Sequence, residues 1–198
     1  MPQLIIATSN PGKVAEFRDL LAGCGWEVVG PADMGLTLDV EETGADYAEN
    51  ALIKADAFVQ TSGIAALADD SGLEVDALNG EPGPLHHLRG WDGHDQAERI
   101  QILLDALKDA PPPWTGRYRA VLVAVLADGR VVQEDGACEG VIIDTLAGSA
   151  GFGYDPVFYL PEQGKTMAQL SLQEKNRISH RGIAAAKMRQ RLRELAAQ

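Results

Sequence analysis

The sequence predicts a single α/β unit built on a mixed sheet. Two observations carry this. Strand and helix patterns alternate over residues 3–72, which calls for parallel neighbours. Asp128-Gly129 stands between two apolar runs as a hairpin signal, which demands an antiparallel pair. The chain has 198 residues, 45% of them hydrophobic and 23% charged, so it can bury a core without disulfide or metal staples and is neither disordered nor a coiled coil.

Residues 3–8, QLIIAT, read as a short buried strand, and Val14, Phe17, Leu20 and Leu21 follow at helical spacing until Gly23. A second strand is expected at 27–30. A helix over 47–60 carries Ala48, Leu52, Ala55 and Val59 on one face, with Asn50 and Lys54 one turn apart beside it. Residues 64–68 form a brief apolar run that stops at Asp69-Asp70-Ser71-Gly72, the pattern of a strand delivering polar groups at its carboxyl end. Residues 79–94 are rich in Gly and Pro and read as a long loop. An amphipathic helix over 96–107 turns Ile100, Leu103, Leu104 and Leu107 inward. The hairpin strands lie at 118–127 and 130–133, a further strand at 140–143, and a last helix begins after Ser179-His180-Arg181-Gly182. No repeat, low-complexity tract or linker divides residues 1–198, so one domain is expected, able to form two lobes about a cleft.

The formal charge of −12 argues against non-specific attraction to nucleic acid or anionic lipid. Residues 165–198 hold eight Lys and Arg against two acids, a local balance of +6 that leaves −18 for residues 1–164. An anionic ligand should meet that basic tail. No apolar run is long enough to span a bilayer, and the first residues lack the basic lead of a secretory signal, so a cytoplasmic protein without membrane or nucleic-acid partners is expected. Cys24 and Cys138 are distant and fit no metal spacing; they read as small packing residues.

Three groups of residues have the chemistry of a polyanion site. Thr8-Ser9-Asn10-Pro11-Gly12-Lys13 joins a buried strand to a helix, so backbone N–H groups, the helix dipole and a lysine face one place; the alternative is a well-capped helix with an exposed lysine. The pairs Glu41-Glu42 and Asp69-Asp70 are hard oxygen ligands of the kind Mg²⁺ takes, while Asp69 or Asp70 could instead close an Asx turn with Ser71-Gly72. Lys165, Lys175, Arg177, His180 and Arg181 supply the opposite charge. Phe152-Gly153-Tyr154-Asp155 follows Gly151 and sets an aromatic between glycines, able to lie on a base or simply to pack beside a turn, with an acid that could accept from a ring N–H.

In order along the chain, ATSNPGK (7–13), EETG (41–44), ENALIKA (49–55), ADDSGLEVDAL (68–78), GFGYDPVF (151–158) and EKNRISHRG (174–182) resemble the inosine triphosphate pyrophosphatase family in its bacterial form. The resemblance implies hydrolysis of dITP, ITP and XTP to the monophosphate and pyrophosphate. It further implies an elongated mixed α/β fold of two lobes with the groove between them, dependence on Mg²⁺, and a homodimer. Carried over residue by residue, Thr8, Ser9, Asn10, Pro11, Gly12 and Lys13 bind the nucleotide. Glu42 and Asp70 hold the metal with Asp69 assisting, and Asp70 accepts the proton. Ser71, Lys54 and Lys175 contact the substrate, the lysines on the triphosphate. Phe152, Gly153, Tyr154 and Asp155 with His180 and Arg181 form the purine pocket, where Arg181 faces the 6-oxo group. The chain departs from the family after Pro82-Gly83, where Pro84-Leu85-His86-His87-Leu88-Arg89 stands in place of a Ser-Ala-Arg element. Arg89 is the nearest substitute, His86-His87 is read as surface, and residues 84–91 stay outside the expected site.

Overall fold

The computed structural model describes residues 1–85, 90–91 and 95–197; His86, His87 and Arg89 lie outside the described residues. Seven strands form a mixed sheet in the order β2-β1-β3-β4-β5-β6-β7, accompanied by five α-helices among the described residues. The chain divides into two compact units, the first comprising Met1–Ser71, Ala120–Gly136 and Arg181–Gln198, the second Gly72–Arg119 and Ala137–His180.

In the first unit β1 (Gln3–Ile6) lies parallel to both β2 (Glu27–Val29) and β3 (Ala65–Val75), with Ile5 opposite Val29 and Ala66. Both faces of β1 are buried, which is why its sequence reads as an unbroken apolar run. Alternation then sorts the side chains. Leu4, Ile6, Ala65 and Leu67 pack with Phe17 of α1 (Pro11–Leu20) and with Met188 and Leu192 of α5 (His180–Ala196). Ile5, Ala66 and Ala68 pack with Ala51, Ala55 and Phe58 of α2 (Tyr47–Ser62). Helices α1 and α5 therefore cover one face of these strands, and α2 the other.

Helix α1 starts as its sequence indicates, with Asn10 as cap and Pro11 in the first turn. Helix α2 is capped by Asp46 and stopped by Gly63 in the left-handed conformation. Its buried stripe is Tyr47, Ala51, Ala55, Phe58 and Val59, so Leu52, expected inward, is 40% exposed. Alanines let the helix approach the sheet closely, and this outweighed the larger side chain. The turn at Asp128-Gly129 joins β4 (Trp114–Val125) to β5 (Val131–Ile142) and is closed by the Leu126 N–H donating to the Arg130 carbonyl at 2.8 Å. Strand β5 is continuous, so the separate strand expected at 140–143 is its end.

The second unit gathers Leu73, Val75, Tyr118, Ile142, Phe158 and Leu160 with Ile100, Leu103 and Leu107 of α3 (Gln96–Leu107). Strand β6 (Phe158–Leu160) pairs antiparallel with β5 and with β7 (Lys165–Thr166). A short helix the sequence reading did not separate, α4 (Leu172–Ile178), precedes α5 and is held by a reciprocal Ser171–Glu174 capping box. Cys24 and Cys138 are both buried and free, as packing residues should be. No helix among the described residues is long and apolar enough to cross a membrane.

The two faces of α2 give a direct test. Leu52→Gln should change unfolding free energy by no more than about 0.5 kcal/mol. Phe58→Ala should cost about 3–5 kcal/mol, both read from urea denaturation.

Candidate active site

Strand β3 does not end at the acids; it runs through them to Val75. Successive side chains of a strand point to opposite faces, so Asp69 follows Ala65 and Leu67 toward α1 and α5, whereas Asp70 follows Ala66 and Ala68 toward α2. Their partners differ accordingly. Asp69 Oδ2 accepts from Lys13 Nζ at 3.1 Å and from Arg181 at 2.9 and 3.2 Å. Arg181 is 1% exposed, also donates to Glu16 Oε2 at 3.1 Å and to Ser71 Oγ at 3.2 Å, and its proton affinity is raised by Asp69 and Glu16 against the effect of burial.

On the other face, Lys54 Nζ lies 3.0 Å from Glu42 Oε2 and 3.1 Å from Asp70 Oδ1. Asn50, fully buried one turn earlier on α2, donates to Asp70 Oδ2 at 3.3 Å and accepts the Gly44 N–H at 2.8 Å. That bond fixes the loop carrying Glu42. Gly44 is required there, because a Cβ would stand 2.7 Å from the Asn50 amide nitrogen. Burial pushes the Asp70 carboxyl up to about 6; Lys54 pulls it down, and the negative charge of Glu42 raises it again. A buried acid beside a second acid is a natural seat for a cation.

In the α1 loop, the Thr8 hydroxyl accepts the Asn10 N–H at 3.2 Å, and Asn10 Oδ1 accepts from Gly12 and Lys13 at 2.8 and 3.4 Å. Two of the N–H groups the sequence offered to a phosphate are thus taken by the cap. Ser9, Pro11 and Gly12 are exposed, and Lys13 is half-buried against Asp69.

The second unit holds the other cluster. Asp155 is buried, and its Oδ2 accepts from Lys175 Nζ at 2.6 Å and from the Phe152 N–H at 3.0 Å. Lys175 lies 4.7 Å over the ring of Phe152, which is itself 49% exposed. Gly151 has φ +81°, and a Cβ there would overlap the Asp155 carboxylate at 1.9 Å, so this turn closes only around glycine. The Gly153 carbonyl accepts from Gln96 Nε2 at 2.9 Å, and Tyr154 packs against the core. His180 stacks on Tyr118 with centroids 4.8 Å apart and planes 14° apart. The Tyr118 phenol is held neutral by burial and by the carboxylate of Asp155.

The expected site residues acquire specific partners in this geometry. Asp69, expected to assist at the metal, faces the α1 and α5 side and accepts from Lys13 and Arg181, while Asp70 faces α2 and shares Lys54 with Glu42. Among the described residues no three His, Cys, Asp or Glu side chains converge on one point. Arg181, expected in the purine pocket, donates to Asp69, Glu16 and Ser71 within the first unit. Lys175, expected on the triphosphate, is paired with Asp155 and lies over the Phe152 ring. His180 and Arg181, adjacent in sequence, belong to different units. Sequence reasoning left out Asn50, Glu16 and Tyr118. Asn50 was visible as a polar residue one helical turn from Lys54, and Glu16 as an acid three residues after Lys13; nothing in the sequence marked Tyr118.

A model of the Ham1 family matches residues 4–191. A dITP/XTP pyrophosphatase of Desulforamulus reducens is 43% identical to this chain over 98% of it and 96% of the relative. One of Yersinia pseudotuberculosis is 45% identical over 98% of this chain and 100% of the relative. The solved structure of a HAM1 protein from Coxiella burnetii superposes with a TM-score of 0.89 at 36% identity, covering 98% of this chain and 100% of that one.

The raised Asp70 pKa has a thermodynamic sign. The folded state holds this proton up to about pH 6 whereas an ordinary carboxyl loses it near 3.8, so ionising Asp70 costs stability as pH rises through that window. In metal-free protein, Asp70→Asn should match the parent at pH 4 and exceed it by about 1–3 kcal/mol at pH 7.5. Urea unfolding at both pH values checks this; a difference that does not change with pH contradicts it.

Proposed function

The chain belongs to the Ham1 family, and from that premise we propose that it hydrolyses deaminated purine nucleoside triphosphates, dITP, ITP and XTP, to the monophosphate and pyrophosphate. The observation that carries the reading is the pairing of Lys54 with Glu42 and Asp70, at 3.0 and 3.1 Å, on one face of β3. Two carboxylates suit an Mg²⁺ ion that keeps most of its shell for water and phosphate oxygens. Glu42 and Asp70 are the residues that would hold it. Bound there, the ion would neutralise triphosphate charge and orient the phosphate oxygens.

The remaining chemistry falls to the chain itself. Attack of water on the α-phosphorus needs a base, and we assign that role to the Asp70 carboxylate, which Asn50 and Lys54 hold in place. The proton of the attacking water passes to the Asp70 carboxylate, and the pyrophosphate oxygen leaves opposite. Lys54 takes up the growing charge on that leaving group from the α2 side, while Lys13, with Ser9 and the α1 N-terminus, meets the polyphosphate from the α1 side of β3. Arg181 and Glu16 act at one remove by fixing Asp69, which aims Lys13.

In the second unit, Phe152 offers an exposed ring face for stacking, Asp155 accepts from N1–H and Lys175 donates to O6. Hypoxanthine, xanthine and guanine present that donor and acceptor pair and adenine presents the reverse, so the pair excludes adenine while rejection of guanine rests on its 2-amino group. The same reading carries an Mg²⁺-dependent, homodimeric enzyme of the cytoplasm.

Pyrophosphate release should be measured for ITP, dITP, XTP, GTP and ATP, with and without Mg²⁺. The expected result is release from the first three, only with metal, and with the monophosphate as co-product. Comparable turnover of ATP, or orthophosphate as the product, contradicts the proposal. Asp70→Asn should lower kcat at least about a hundredfold at saturating Mg²⁺ and nucleotide; a near-normal rate removes Asp70 as the base.

A further inference from the structure

The catalytic reading gives Lys54 a leaving group to neutralise, which does not by itself call for an ammonium lodged between two carboxylates. A lysine that only binds phosphate would extend its ammonium toward solvent. Here Nζ is drawn back between Glu42 Oε2 and Asp70 Oδ1, at 3.0 and 3.1 Å, with its side chain largely buried. Those two carboxylates are the pair assigned above to the cation. The ammonium therefore takes up the carboxylate oxygens that a divalent ion held by this pair would need.

We propose that Lys54 is a tethered counter-ion that closes the acidic pair to a free metal ion and withdraws when a polyphosphate chain takes up its charge. The inference rests on Glu42 and Asp70 being the metal-holding pair. An ammonium and a divalent cation within a few ångströms repel strongly at the effective dielectric of a partly buried site, so both cannot share the two carboxylates. Bare metal must displace Lys54 with no anion to receive it. A metal–triphosphate complex brings phosphate oxygens that do receive it, and the lysine's four-carbon stem lets Nζ move without moving α2. The frame stays in place when Lys54 leaves, because Asn50 still donates to Asp70 Oδ2 at 3.3 Å and still anchors the Glu42 loop through Gly44. The consequence is that metal and nucleotide enter together, and the idle protein keeps its acidic pair neutralised from within.

Direct Mn²⁺ titration of nucleotide-free protein tests this without any turnover. Lys54→Gln, which keeps length and polarity but removes the charge, should bind Mn²⁺ at least about tenfold more tightly than the parent. A second measurement on the unaltered chain does not depend on that variant folding. Acylation of Lys54 by an amine-reactive reagent, followed by mass spectrometry, should rise severalfold when Mn²⁺ is brought to saturation. Equal Mn²⁺ affinity in parent and variant, or Lys54 labelling unchanged at saturation, overturns the counter-ion role while leaving the metal site standing. Failure of both proteins to bind Mn²⁺ at millimolar concentration overturns the metal-holding pair itself, and the counter-ion role with it.

Discussion

The two-residue period of β3 decides what each acid of this protein can do. Ala65–Val75 is one continuous strand, paired with β1 at Ala65–Leu67 and buried from Ala65 to Asp69, so neighbouring residues turn to opposite faces. Asp69 and Ser71 share the α1 and α5 side with Lys13, Glu16 and Arg181, while Asp70 shares the α2 side with Asn50, Lys54 and Glu42. One acid becomes the anchor of a buried guanidinium and the other a titrating carboxylate. A slip of one residue in register would exchange those environments.

An acidic chain that binds a polyanion must concentrate its positive charge. It does so by burying it: Arg181 and Lys175 are both enclosed, each against a carboxylate, at 2.9 and 2.6 Å. Removing one member of such a pair leaves an uncompensated charge and typically costs several kcal/mol, so these pairs hold their loops in place as well as carrying charge. Glycine serves the same end in the second unit, where Gly151 lets the Phe152 amide reach Asp155. The exposed face of Phe152 is thus presented by a turn with little room to relax.

Much of this was legible in the sequence, because it depended on local signals. The cap at Asn10 and Pro11, the bounds of the helix over 96–107, the hairpin at Asp128-Gly129 and the mixed sheet all follow from neighbouring residues, and the structure agrees with them. The site was legible as a set of residues and not as a geometry. Ending β3 at Ala68 hid the alternation that separates Asp69 from Asp70; Leu73 and Val75, apolar and two apart, were the signal that the strand continued. The commitment of Arg181 to Asp69 spans 112 residues of chain, and no local pattern announces it. The inward face of α2 was misjudged because small residues facing the sheet carry less apparent hydrophobic weight than one exposed leucine.

The most direct measurement is calorimetric Mn²⁺ titration of Asp69→Asn beside Asp70→Asn, with folding of each confirmed by circular dichroism. The account predicts that Asp70→Asn loses most of its affinity, by tenfold or more on the order of one lost carboxylate ligand, and that Asp69→Asn binds as the parent does despite a weaker hold on Arg181. Equal loss in the two variants would mean that both acids reach one ion, and the division of labour along β3 would be wrong.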